Sequence, residues 1–177
     1  MPMEREPFAD SPVFTFDRPH RGLLRLWLDT GLPQNAVTHD NHSELGRVWG
    51  AVADDEARVV LVRGVNGAFC GGGTAAFLGP LVDDHRARMQ VLDDMRALIR
   101  GVTECPKPVV SAIDGYCAGA GLALGVMADV SLVARSATLH DAHTIAGLVC
   151  GDHAAFAWPL LMGMAKAKYH LLTATPL

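Results

Sequence analysis

Two glycine-rich segments carry the strongest chemical signal in this sequence. Phe69-Cys70-Gly71-Gly72-Gly73-Thr74 follows closely on the apolar run Val59–Val65. Consecutive glycines let the backbone approach a ligand closely and present N–H groups as donors. Gly115-Tyr116-Cys117-Ala118-Gly119-Ala120-Gly121 follows a second apolar run, Val109–Ile113, and leads into a small-residue helix. A helix start has unpaired N–H groups and partial positive charge, so it favours a developing oxyanion. One N–H from each segment, aimed at a common point, would form an oxyanion hole. Taken singly, either segment is more often just a tight strand-to-helix connection.

Titratable candidates cluster further along, in His140-Asp141-Ala142-His143 and Gly151-Asp152-His153. An imidazole titrating near neutrality beside a carboxylate is suited to general acid–base work. Plainer roles stand beside that one: His140 or His153 at the surface, or any of these rings hydrogen-bonded within a core. His140, His143 and Asp152 also contain metal-ligating groups, but such residues fall together by chance and no metal is expected. Neither glycine segment fits the dinucleotide G-x-G-x-x-G pattern or the P-loop with its lysine. Dinucleotide and nucleoside triphosphate binding are not expected.

The elements that would position these groups can be read from periodicity. Val13–Phe16 and Leu23–Leu28 read as a hairpin, broken at Arg18-Pro19 and closed before Gly31 and Pro33. Thr38 is placed to cap a helix whose apolar face is Leu45, Val48, Trp49 and Val52. Val59–Val65 is a nearly continuous β-branched run, the pattern of a strand buried on both faces. Asp83–Thr103 reads as a long amphipathic helix with Met89, Leu92, Met95, Ile99 and Val102 inward. Pro106 and Pro108 end it, and Val109–Ile113 and Val130–Val133 are further strands. Trp27, Trp49, Trp158, Met162 and Met164 are expected in the core, and Lys166 and Lys168 on a solvated face. Strands alternating with helices in this order predict an α/β fold with crossover connections, in one domain over residues 1–177.

Composition narrows the function classes. The 177 residues are half hydrophobic and 19% charged, with a net charge of -4 and no basic run, so nucleic-acid binding is not expected. The cysteines Cys70, Cys105, Cys117 and Cys150 have no C-x-x-C spacing and read as reduced thiols of a cytoplasmic protein. Met1–Asp10 is acidic and contains no apolar core, so no signal peptide is expected. The apolar stretches Cys117–Ala134 and Ala154–Leu172 are interrupted by glycine, proline or charge. No membrane span is expected from either.

Taken in order along the chain, these segments resemble the enoyl-CoA hydratase/isomerase, or crotonase, superfamily. The resemblance rests on Asn35-Ala36-Val37, on Val59–Gly64 followed by Phe69–Thr74, and on Lys107-Pro108-Val109 through Gly115. It continues through Gly119-Ala120-Gly121-Leu122-Ala123-Leu124, Asp129–Ala134 and Ala137-Thr138-Leu139. It ends with Leu161-Met162-Gly163, Ala165 and Leu171-Leu172-Thr173. It implies the crotonase spiral of repeated ββα units, an acyl-CoA substrate with no further cofactor, and a homotrimer or hexamer. The two oxyanion donors of such a protein fall on Gly73 and Ala120. Coenzyme A would run along the first glycine segment, making Ala36, Gly71, Thr74 and Gly119 candidate contacts.

The departures from that pattern bear directly on chemistry. The two glutamates by which hydratases handle water are Ala123 and His143 here, and the aspartate after the first glycine segment is Thr74. His143 and Asp152 are therefore the expected acid–base groups, with His143 as base, and Asp141 and His153 stand behind them. Certain hydrolases of cyclic β-diketones in this superfamily are similar in carrying histidine and aspartate in this region. The expected functions are thus an acyl-CoA lyase or isomerase, a C–C bond hydrolase, or a non-catalytic oligomer on the same scaffold. The family's C-terminal helical region, which closes the acyl pocket and builds the trimer, has no counterpart in the sequence.

Overall fold

The computed structural model describes residues 11–177. The acidic stretch Met1–Asp10, with its expected lack of a signal peptide, lies outside them.

Strands β1 (Phe14–His20) and β2 (Leu23–Leu28) form the predicted antiparallel hairpin. Arg18-Pro19 does not end β1. The strand runs on to His20 with an irregular register between Asp17 and His20, as a proline at a sheet edge allows. Helix α1 (His39–His42) is a single turn, and α2 (Glu44–Asp54) follows it after Ser43. Thr38 begins α1, its N–H donating to Asn41 Oδ1 at 2.8 Å, and α2 buries Leu45, Val48, Trp49 and Val52 as its spacing required.

The chain then enters β3 (Val59–Gly64), α3 (Ala75–Leu78) and the long helix α4 (His85–Thr103), which Asp84 caps by accepting from Arg86 and Ala87 N–H. Strand β4 (Val109–Ile113) leads through a short strand β5 (Tyr116–Ala118) into α5 (Ala120–Val126). Strands β6 (Val130–Val133) and β7 (Thr138–His140) precede the paired helices α6 (Ala154–Met162) and α7 (Met164–Thr173).

The main sheet has the order β1-β2-β3-β4-β6, and every pairing after the hairpin is parallel. A second, parallel pair joins β5 to β7. Both glycine segments therefore leave the carboxyl ends of adjacent parallel strands, β3 and β4, the side on which ligands bind in such sheets. Leu24, Leu26, Leu28, Val60, Val62, Val109 and Ile113 form the buried face of the sheet, and α2, α4 and α5 supply Trp49, Leu98, Leu122 and Leu124 to the same core.

Several side chains expected inside lie elsewhere. Met89 and Leu92 are 39% and 42% exposed, because α4 buries Met95, Leu98 and Val102 further along instead. Trp27 is only partly covered, and the guanidinium groups of Arg25 and Arg63 lie 4.6 and 4.7 Å from its ring. Val130, Leu132 and Val133 on the edge strand β6 are exposed, as are Leu160, Leu161, Met164 and Leu172 on α6 and α7. Among the described residues no helix is long and apolar enough to cross a membrane.

Candidate active site

The first glycine segment is held from two sides. Val37 pairs with it in parallel fashion: Val37 N–H donates to Gly72 O at 2.8 Å, and Thr74 N–H to Val37 O at 2.9 Å. This pattern consumes the groups flanking Gly73 and leaves the Gly73 N–H on the opposite side. Asn35, 1% exposed and at φ +53°, donates from Nδ2 to Val65 O and Ala68 O, both at 3.0 Å. One buried amide thus closes the loop between β3 and the glycines. Thr74 begins α3, its hydroxyl accepting from Phe77 N–H at 3.1 Å.

The second segment meets the first directly. Cys70 and Cys117 are bridge partners, with Ala118 N–H donating to Cys70 O at 2.8 Å. Gly119 then turns at φ +51°, and a Cβ there would sit 3.3 Å from Gly72 Cα. Only glycine combines that conformation with that approach. The turn leaves Ala120 at the first position of α5, where its N–H has no helical acceptor. Among the described residues neither Gly73 N–H nor Ala120 N–H donates to a protein acceptor. Both cysteines beside the junction are buried free thiols, and burial pushes the Cys70 thiol up to about 11, which makes it inert at neutral pH.

A cavity of about 150 Å³ lies against this junction. Gly71, Gly72, Gly73, Ala118, Gly119 and Ala120 form its floor, and Phe77, Leu81, Val91 and Met95 an apolar side. His143 and Asp152 reach it from the segment between β7 and α6. The structure therefore gathers Gly71, Gly73, Gly119, Ala120, His143 and Asp152 around one space. Ala36 and Thr74 do not line it: Ala36 lies outside the wall and Thr74 is engaged in capping.

His143 sits between two carboxylates. Its Nδ1 bonds Asp141 Oδ2 at 3.0 Å, while its Nε2 lies 3.4 Å from Asp152 Oδ2, in ion-pair contact but not aligned as a hydrogen bond. Burial by itself would lower the imidazole's pKa, but the bonds to Asp141 and the charge of Asp152 outweigh it and raise it to about 10. Desolvation likewise opposes the ionised Asp152, yet contact with His143 and His153 holds its carboxyl well below the ordinary range. His143 thus carries its proton at neutral pH. A ring held this way keeps its proton to higher pH than a free imidazole. His153 is fully buried behind Asp152, with Nδ1 2.9 Å from Asp152 Oδ1. His140 belongs to the scaffold, its Nδ1 against Tyr116 OH and its Nε2 against Ala174 O, both at 2.9 Å. Its nitrogens are engaged away from the grouping with His143 and Asp152 considered for a metal.

One cavity residue was not legible in the sequence. His42, on α1, lines the same space and is 4% exposed, with Nδ1 3.2 Å from Asp94 Oδ2 on α4. Nothing local marks it, because Asp94 is far along the chain and the packing of α2, which follows α1, against α4 brings the two together. Asn35 stands in the Asn35-Ala36-Val37 segment, and its role as the tie that shapes the loop emerges only from the fold.

Comparison with known proteins accords with this geometry. A family model described as enoyl-CoA hydratase/isomerase matches residues 19–177. A probable enoyl-CoA hydratase of Rhodobacter capsulatus is 32% identical over 151 residues, covering 82% of this chain and 56% of the relative. The 1,2-epoxyphenylacetyl-CoA isomerase of Escherichia coli is 29% identical over 160 residues, covering 87% of this chain and 60% of the relative. A crystal structure of an enoyl-CoA hydratase/isomerase from Mycobacterium paratuberculosis superposes with a TM-score of 0.86 at 32% identity, covering 96% of this chain and 68% of that one. The chain spans about half the length of the relatives it matches. With the fold and the family model in agreement over most of its length, the chain belongs to the enoyl-CoA hydratase/isomerase family.

Proposed function

We propose that this protein processes an acyl-CoA thioester, placing the thioester oxygen between the N–H groups of Gly73 and Ala120. The observation that carries the reading is the pair of backbone donors, each without an acceptor among the described residues, lining one cavity. As a Cα proton leaves or a nucleophile adds in conjugate fashion, charge develops on that oxygen, and each donor is worth about 3 kcal/mol of barrier. Gly71 and Gly119 lie beside the thioester. His143, which lines the cavity between Asp141 and Asp152, takes part in proton transfer through the nitrogen that faces Asp152. The apolar side formed by Phe77, Leu81, Val91 and Met95 suits an acyl chain.

The test is binding and turnover together. Purified protein titrated calorimetrically with saturated and 2-enoyl-CoA thioesters is expected to bind them, and to convert one class in a His143-dependent manner. Failure to bind any thioester would overturn the reading.

A second reading, hydrolysis of a C–C bond in a β-diketone, is favoured by the His143–Asp152 contact and by the absence of both glutamates, Ala123 and His143 standing in their places. Turnover of a cyclic β-diketone without any CoA moiety would select it. The exposed apolar side chains of β6, α6 and α7 support assembly into a homotrimer or hexamer. A monomeric mass by light scattering at micromolar concentration would contradict that assembly.

A further inference from the structure

We infer that His42, oriented by Asp94, is the general base of this site. The inference rests on the acyl-CoA reading above and adds to it the group that removes the proton.

The geometry separates the two ends of the His42 ring. Nδ1 faces Asp94 Oδ2 at 3.2 Å, and Asp94 is itself fixed by Gln90 Nε2, which donates to its Oδ1 at 2.9 Å. A carboxylate partner at Nδ1 keeps the proton on that nitrogen and leaves the Nε2 lone pair free. Nε2 meets no protein partner among the described residues and is not sealed off, and the residue lines the cavity. The ring is placed by Phe77, whose centroid is 5.0 Å from that of His42. Phe77 also packs against Gly73, where a Cβ would approach its ring to 2.5 Å. One aromatic ring thus spaces the imidazole from the oxyanion donor, as a base and an oxyanion hole acting on adjacent atoms require.

The charged and titratable groups around His42 fix its resting state. Burial dominates and lowers its pKa from the usual histidine value. Asp94 opposes that effect, His39 on the same turn adds to it, and Asp152 opposes it weakly. His42 therefore gives up its proton more readily than a free imidazole, and His143 less readily. The cavity holds one imidazole ready to accept a proton and one ready to give it.

The step balances within the site. The Nε2 lone pair of His42 takes a proton from Cα, and the C–H electron pair forms the enolate C=C. The carbonyl π pair moves onto oxygen, where the Gly73 and Ala120 N–H groups hold it. The proton on His42 then returns to Cα or exchanges with solvent.

Solvent exchange isolates this step from the rest of any reaction. Wild-type protein incubated with butyryl-CoA in D2O is expected to exchange the Cα protons, followed by proton NMR. His42→Gln is expected to lower the exchange rate at least about 100-fold with butyryl-CoA affinity nearly unchanged. Asp94→Asn tests positioning and guards against loss of folding in the first variant. It is expected to slow exchange about tenfold and to move the acid limb of the pH–rate profile to lower pH, which a merely structural role would not do. Exchange by His42→Gln at the wild-type rate, or an unmoved acid limb in Asp94→Asn, would overturn the role of His42 alone. Wild-type protein that binds butyryl-CoA and exchanges nothing would overturn the enolate reading and this inference with it.

Discussion

His143 Nε2 lies 3.4 Å from Asp152 Oδ2, and the contact joins an imidazolium to a carboxylate at the edge of the cavity. The other ring nitrogen is already bonded to Asp141, which is 2% exposed. A ring held this way is charged across the neutral range, and the charge has consequences for stability as well as for chemistry.

The charged form is favoured by folding, so the sign of the pH effect follows. The contribution of His143 is complete below its unfolded value of 6.5 and is lost as pH rises through about 10. Asp152, whose pKa folding depresses, contributes above its ordinary 3.8 and loses that contribution as the pH falls through its lower folded value. Thermal melts of wild type and His143→Gln are expected to differ most near pH 6.5 and to converge toward pH 10. A difference that stayed constant across this window would mean that the ring is not charged as described.

Turnover should carry the same signature. His143→Ala is expected to reduce turnover by about 10²–10⁴ while leaving ligand binding nearly intact. In the parent, activity should fall as pH rises through about 10, where the donor is lost. An alkaline limb that persisted in His143→Ala would assign it to another group.

Asn35→Ala removes the two 3.0 Å bonds from a buried amide to the loop between β3 and the glycines, and leaves Ala68 O without that donor. It also places alanine at φ +53°. The expected cost is about 3 kcal/mol of stability, measured by denaturant unfolding, since buried carbonyls that lose a partner cost about 1–3 kcal/mol each. A variant as stable as the parent would show that the loop holds itself.

Restoring the family's first glutamate should not restore its chemistry. Ala123 is fully buried and does not line the cavity. Ala123→Glu places a carboxyl at a fully buried position outside the cavity lining, and is expected to cost several kcal/mol. A stable Ala123→Glu variant with hydratase activity would require the introduced carboxyl to reach the cavity through a rearranged α5.

The residues that the sequence made legible are those whose role is local. The glycine segments announce themselves because backbone approach at Gly72 and Gly119 requires residues without a Cβ, and the strands before them are continuous apolar runs. His143 and Asp152 could be found because they lie in one short stretch. His42 and Asp94 could not, since they meet only where α2 packs against the distant helix α4. Met89 and Leu92 misled for a related reason. Helical spacing identifies an apolar stripe, but the length of stripe that is covered depends on where α4 crosses its neighbours. The exposed apolar strand β6 reads like its buried companions because strand composition does not record which edge is left open.

The proposed chemistry requires that Gly73 and Ala120 hold one thioester oxygen. Isotope-edited infrared spectroscopy of a bound acyl-CoA labelled with 13C at the carbonyl reports that contact directly. Bound to the parent protein, the carbonyl stretch should move to lower frequency than in water. Bound to Gly119→Ala, whose Cβ presses on Gly72 from a φ of +51°, most of that shift should vanish and turnover should fall about 10²–10³-fold. A carbonyl band at its aqueous position in the parent protein would contradict the oxyanion hole and the enzyme reading built on it.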